Sequence, residues 1–189
     1  SPGKTAAAAY FVALGLAYMA VEMVVLSWLV RVIGEPVTAA AVTIATFLIA
    51  SGVGSSVAQG IELGRARALK IVATAITAWA LVLAFAGPAS LGWLAPWPLA
   101  GRIAVSVVAV VPLAFAMGMP MPLGLARLDD RLPQLIPWAW GVNGFASVLA
   151  PPLATAAAMA WGWSVAGAAA LRFYLAAAGV FTFIATRTE

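Results

Sequence analysis

Six long apolar stretches, separated by short polar, glycine- or proline-marked breaks, dominate the chain. They run over 6–30, 37–58, 69–86, 102–119, 138–160 and 164–185. An α-helix rises about 1.5 Å per residue, so about 20 apolar residues span a bilayer core, and each stretch is close to that length. The breaks have local causes. Gly34-Glu35-Pro36 ends the first stretch, and Glu62 to Lys70 reads as a polar loop. Gly87-Pro88 through Pro98 reads as a Trp/Pro-rich connection, Leu128 to Pro137 carries two Asp and two Pro, and Trp161-Gly162-Trp163 parts the last two stretches. The pattern predicts an all-α integral membrane bundle of about six transmembrane helices, forming a single domain over 1–189.

Composition sharpens that reading. Of 189 residues, 65% are hydrophobic and 8% charged, and mean hydropathy is +1.06. A soluble domain carries roughly a quarter charged residues, so lipid must cover most of this surface. With no Cys and no His, the chain has no thiolate nucleophile, no Cys-ligated metal, no imidazole proton shuttle and no His-ligated haem. No catalytic residue, metal site or cofactor is predicted, although a bound lipid is compatible with the composition. The net charge of +4 rests on bases too few and too scattered for nucleic acid. They read instead as topology signals. With the N-terminus inside, Lys4, Arg65, Arg67, Lys70, Arg127, Arg131 and Arg187 lie inside, against Arg31 and Arg102 outside, with Arg172 within the sixth stretch. Seven against two predicts both termini cytoplasmic. Trp93, Trp97, Trp161 and Trp163 then fall at the outer interface, and Trp138 and Trp140 near the inner one. No secretory signal pattern opens the chain. A start at Ser1-Pro2-Gly3-Lys4 without Met reads as a processed end, a trimmed end or a piece of a longer chain.

Intramembrane polar groups are the candidate chemistry. Glu22 lies near the middle of the first stretch, where a carboxylate is costly unless paired or protonated. Gly15, Tyr18, Glu22 and Leu26 share one helical face, on which Gly15 reads as a helix-packing position and Tyr18 as a site candidate beside Glu22. Glu22 reads either as a proton, cation or headgroup site, or as a hydrogen-bonded group that fixes packing. Arg172 reads as its partner or as a side chain reaching an interface. Arg31 and Glu35 read as a solvated loop pair. On the second stretch Ser51, Gly52, Gly54 and Ser55 read as a close-packing surface, with a hydroxyl-lined path as the alternative. On the fifth, Gly141 and Gly144 read as helix-packing positions, and Asn143 and Ser147 share a face. They read as an interhelical hydrogen-bonding set or as a polar-ligand contact. Met117, Met119 and Met121 raise Cu(I). A spacing of two spreads them around a helix, and packing is the simpler account. Pro120 and Pro122 cannot continue a regular helix, so the fourth stretch either breaks there or dips back. Three helices per half would suit an inverted repeat, but no sequence match joins the halves.

The motifs resemble the membrane region of bacterial spermidine-synthase-like proteins. They are Gly15-Leu16-Ala17-Tyr18-Met19-Ala20-Val21-Glu22, Gly34-Glu35-Pro36, Ser51-Gly52-Val53-Gly54-Ser55, Met117-Gly118-Met119-Pro120-Met121-Pro122-Leu123-Gly124-Leu125 and Pro137-Trp138-Ala139-Trp140-Gly141-Val142-Asn143-Gly144. That family joins a multispan bundle to an aminopropyltransferase-type domain. Two departures stand out: Ser27-Trp28 replaces a Gln-Arg pair and Glu35 replaces a His. This sequence carries no Gly-rich strand-to-helix turn for a nucleotide-like cofactor. The resemblance implies membrane architecture in a bacterial cytoplasmic membrane, without aminopropyl transfer by these residues. The expected role is a non-catalytic anchor or accessory subunit, in contact with membrane lipids and other subunits. A small transporter using Glu22 is the alternative, and an intramembrane enzyme with Glu22 as its central acid or base is a third reading.

Overall fold

The computed structural model describes residues 2–61 and 64–184, which leaves Glu62, Arg187 and the predicted end of the sixth stretch at Ala185 outside the described residues. The described residues are helical throughout, without strands. The helices are α1 (Pro2–Ile33), α2 (Pro36–Gln59), α3 (Arg65–Leu94), α4 (Leu99–Met117), α5 (Pro120–Arg131), α6 (Ile136–Trp161) and α7 (Trp163–Val180). Six are long and apolar enough to cross a membrane once α4 and α5 are taken together as Leu99–Asp130. Helices satisfy every backbone hydrogen bond internally, which lipid requires. The chain is a multi-pass membrane protein.

The first helix is the axis of the bundle. It packs along most of its length against α6 and α7, and also against α2, α3, α4 and α5. Tyr10, Phe11, Ala17 and Leu29 on it are fully or almost fully buried. The outer helices offer small buried residues at roughly one-turn spacing: Ala146, Ala150 and Ala154 on α6, and Ala166, Ala170 and Ala177 on α7. Lipid tails are as apolar as these side chains, so association depends on close van der Waals packing and interhelical hydrogen bonds.

Two turns demand glycine. Gly34 (φ +81°) ends α1 and Gly162 (φ +89°) separates α6 from α7, both in backbone regions that disfavour other residues. Between α1 and α2, Glu35 does not form the predicted pair with Arg31. Its carboxylate accepts from the Val37 N–H (2.9 Å) and the Thr38 N–H (2.5 Å), capping α2 ahead of Pro36. The Thr38 hydroxyl, then the Thr38 and Val37 amides, hold this carboxyl below the usual carboxylate range. A carboxyl so lowered contributes stability that is complete above its unfolded value and lost as pH falls through the folded one. Unfolding midpoints measured from pH 7 down to pH 3 should therefore fall less steeply in Glu35→Ala than in the parent, and Glu35→Ala should be the less stable protein at neutral pH. Identical profiles would show that the cap contributes nothing.

The structure moves several boundaries: α3 begins at Arg65, inside the predicted polar loop Glu62 to Lys70, and the fourth span runs on to Asp130. The third helix does not stop at Gly87-Pro88 but continues to Leu94. Proline removes one hydrogen bond inside a helix, and here the stretch is tied laterally. Trp28 on α1 donates its indole N–H toward the Gly87 carbonyl and Ser90 Oγ, at 3.3 Å each. The fourth stretch breaks rather than dips back. Gly118 (φ −73°, ψ −19°) and Met119 (φ −81°, ψ −36°) keep right-handed helical angles, so α5 follows α4 without reversal. Pro120 and Pro122 bring no N–H to the carbonyls four residues earlier, which explains the interruption. The buried Tyr10 hydroxyl donates to the Pro120 carbonyl at 2.6 Å and fastens the break to α1.

Candidate functional site

Around Gly15 on α1, the sequence and the bundle agree closely. A Cβ placed there would lie 2.5 Å from the Asn143 carbonyl and 3.0 Å from both Ala146 Cβ and Ser147 Oγ, so α1 and α6 meet almost backbone to backbone. Asn143 Nδ2 donates to the Phe11 carbonyl at 3.0 Å, and Ser147 Oγ donates to the Asn143 carbonyl at 2.9 Å. Asn143 thus binds one helix to another, the packing arrangement of the two that its sequence position allows.

The second seam joins α2 to α4. A Cβ on Gly54 would run into the Phe115 carbonyl, and one on Gly118 into the backbone of Ser51. One turn from Gly54, Ser51 Oγ accepts from the Tyr18 hydroxyl at 3.0 Å, which ties α2 to α1 as well. Ser55 is half-buried beside this seam. Gly52, Gly141 and Gly144 do not join it: nothing lies within 4 Å of a Cβ at any of them. The reason is helical phase. Gly52 sits two residues from Gly54 and so faces away from it, while Gly141 and Gly144 share a stripe with the exposed Phe145 and Val148.

Glu22 is 7% exposed. No described residue donates a hydrogen bond to it or pairs with it. Gly15 touches α6 and Tyr18 touches α2, so Glu22, on the same stripe, continues the line where α1 faces both helices. Arg172 is exposed on α7 and forms no ion pair with Glu22, so the predicted pairing does not occur. The surface position fits its other reading, a long cation extended to an interface. A lone carboxyl of this kind can exchange a proton or contact a cation. Tyr18 lies one turn away on the same face, and the described residues contain no cluster of three metal-ligating side chains. Two buried hydroxyls, Tyr174 Oη and Ser106 Oγ, have no hydrogen-bond partner among the described residues.

The feature that sequence reasoning missed is a cleft of about 310 Å³ between α1, α3 and α7. Its walls are mainly apolar, from Val21, Val24 and Val25 on α1 to Ala84 on α3 and Leu171 on α7. Ser27, Trp28, Arg31, Trp163 and Ser164 gather toward one end. Trp28 and Arg31 stand three residues apart on α1, a same-face spacing, but nothing in the sequence pairs them with Trp163 on a helix more than a hundred residues away. At the opposite end of the bundle, Arg65 pairs with Asp130, and Arg127 Nε donates to the Ile184 carbonyl at 3.0 Å. Comparison of the chain with known protein families, curated proteins and solved structures finds no match.

Proposed function

We propose that the chain is a non-catalytic membrane module that anchors, or assembles with, larger subunits of a membrane complex. One observation carries this reading: of the polar side chains singled out within the bundle, Asn143, Tyr18 and Ser51 join helices instead of lining an open path. Asn143 bonds to α1, Tyr18 to Ser51, and Tyr10 to the α5 backbone. The outward-facing Gly52, Gly141 and Gly144 add support, because small residues let a neighbouring transmembrane helix approach closely.

The orientation belongs to the same proposal. Arg65, paired with Asp130 on α5, and Arg127, bonded to Ile184 just beyond α7, collect at one end of the bundle, and the positive-inside rule makes that end cytoplasmic. The similarity of the motifs to the membrane part of spermidine-synthase-like proteins favours a bacterial cytoplasmic membrane and a role beside a catalytic domain.

A second reading, transport, has one observation in its favour: Glu22 is buried in the central helix and unpaired among the described residues. Purification in gentle detergent, with intact mass and identification of every copurifying chain, separates the two. Stoichiometric recovery with larger subunits, or within a longer polypeptide, is expected, and Glu22→Gln should leave that assembly unchanged. If the chain arrives alone and moves protons or cations in liposomes, and Glu22→Gln abolishes the flux, the module reading fails and transport replaces it.

A further inference from the structure

We propose that the cleft between α1, α3 and α7 holds one anionic phospholipid, with its phosphate at Arg31 and one acyl chain laid along the apolar walls. The dimensions fit. From Arg31 to Val21 the cleft follows α1 for about 15 Å, half of a hydrocarbon core roughly 30 Å thick. A chain entering beside Arg31 therefore reaches the bilayer midplane where the cleft ends. A volume of about 310 Å³ accommodates a single chain rather than a whole diacyl lipid, whose second chain stays in the bilayer.

Charge selects the headgroup. Arg31 is exposed, and no described residue pairs with it. Its nearest carboxylate in sequence, Glu35, is turned onto the α2 N-terminus. The neighbouring cation Arg102 donates to the Val32 carbonyl at 3.0 Å. Arg31 is left as the cation facing the mouth of the cleft, and its guanidinium matches a phosphate oxygen pair. Trp28 and Trp163 flank it, the aromatic type that settles at headgroup level. A zwitterionic lipid offers the same chain but no net negative charge for Arg31 to recognise.

The test uses vesicles with equal amounts of palmitoyl-oleoyl phosphatidylglycerol and phosphatidylcholine. The protein is reconstituted, re-extracted in a delipidating detergent and examined by native mass spectrometry for retained lipid. One phosphatidylglycerol per chain should remain, in preference to phosphatidylcholine by about fivefold, the discrimination that one basic side chain gives near an anionic surface. Arg31→Gln should abolish the preference and Arg31→Lys should keep most of it. Ala84→Phe, on an exposed position of the α3 wall, should fill the cleft and lose both lipids. Helical content and elution volume identify any variant that has misfolded. Equal retention of the two lipids by the parent, or no retention, overturns the proposal. Undiminished retention by a folded Ala84→Phe does so too, because it places the lipid elsewhere.

Discussion

Gly54→Leu should destabilise the protein by about 3 kcal/mol, near the upper end of the usual overpacking range, while Gly52→Leu should cause no loss. Both glycines lie on α2, two residues apart, and both gain helix propensity from leucine. Only Gly54 sits where α2 meets α4, its Cβ position occupied by the Phe115 carbonyl. A main-chain carbonyl cannot rotate away as a flexible side chain can, so the two helices must separate. Separation would also pull Gly118 off the Ser51 backbone and disturb the bond between Tyr18 and Ser51. At Gly52 the side chain enters open space on the lipid side. Unfolding midpoints of the two variants in mild detergent, followed by circular dichroism, decide the matter. Equal losses at both positions would mean that α2 is rotated from the orientation described.

Replacement of Glu22 should have the opposite sign. Glu22→Leu is expected to stabilise the protein by about 2 kcal/mol, the scale of a buried polar group left without a partner. The residue is 7% exposed and its carboxyl is unbonded among the described residues, and leucine is close to it in length. Replacing a buried ionisable group by a well-packed apolar one is often neutral or stabilising, whereas removal of a partnered group is destabilising. The same unfolding measurement reads both cases. A gain would identify Glu22 as a residue kept at a cost to stability, which is how a proton or cation site behaves. A loss of similar size would show that Glu22 has a structural partner in the membrane and would withdraw it as a candidate for transport.

The breaks that were legible in the sequence are those where one residue type has few conformational options. Gly34 and Gly162 both take positive φ and end helices where expected. Prolines are less legible. Pro120 interrupts its helix, but Pro88 does not end α3, because Trp28 and Ser90 supply lateral bonds around Gly87. Whether a proline breaks a helix in lipid depends on neighbours that can satisfy or shield the freed backbone groups. That information lies on another helix, 59 residues away for Trp28 and Gly87.

The candidate site divides along the same line. Gly15, Gly54, Asn143 and Ser51 were all legible as packing residues, and each meets another helix. Gly52, Gly141 and Gly144 carry the same local signature and meet nothing. Arg31 read as a partner for Glu35 because they are close in sequence, yet capping α2 satisfies Glu35 with two backbone N–H groups at once.

The sequence by itself determined that this is a helical membrane protein, how many spans it has and where most of them end. Those properties follow from hydropathy over about 20 residues and from glycine and proline stereochemistry, both local quantities. Tertiary structure alone decided which glycines lie between helices, that Glu22 is buried without a partner among the described residues, and that Arg31, Trp28 and Trp163 line one cleft. The apolar faces of a membrane helix look alike to lipid and to protein, so its rotation is set by neighbours distant in the chain.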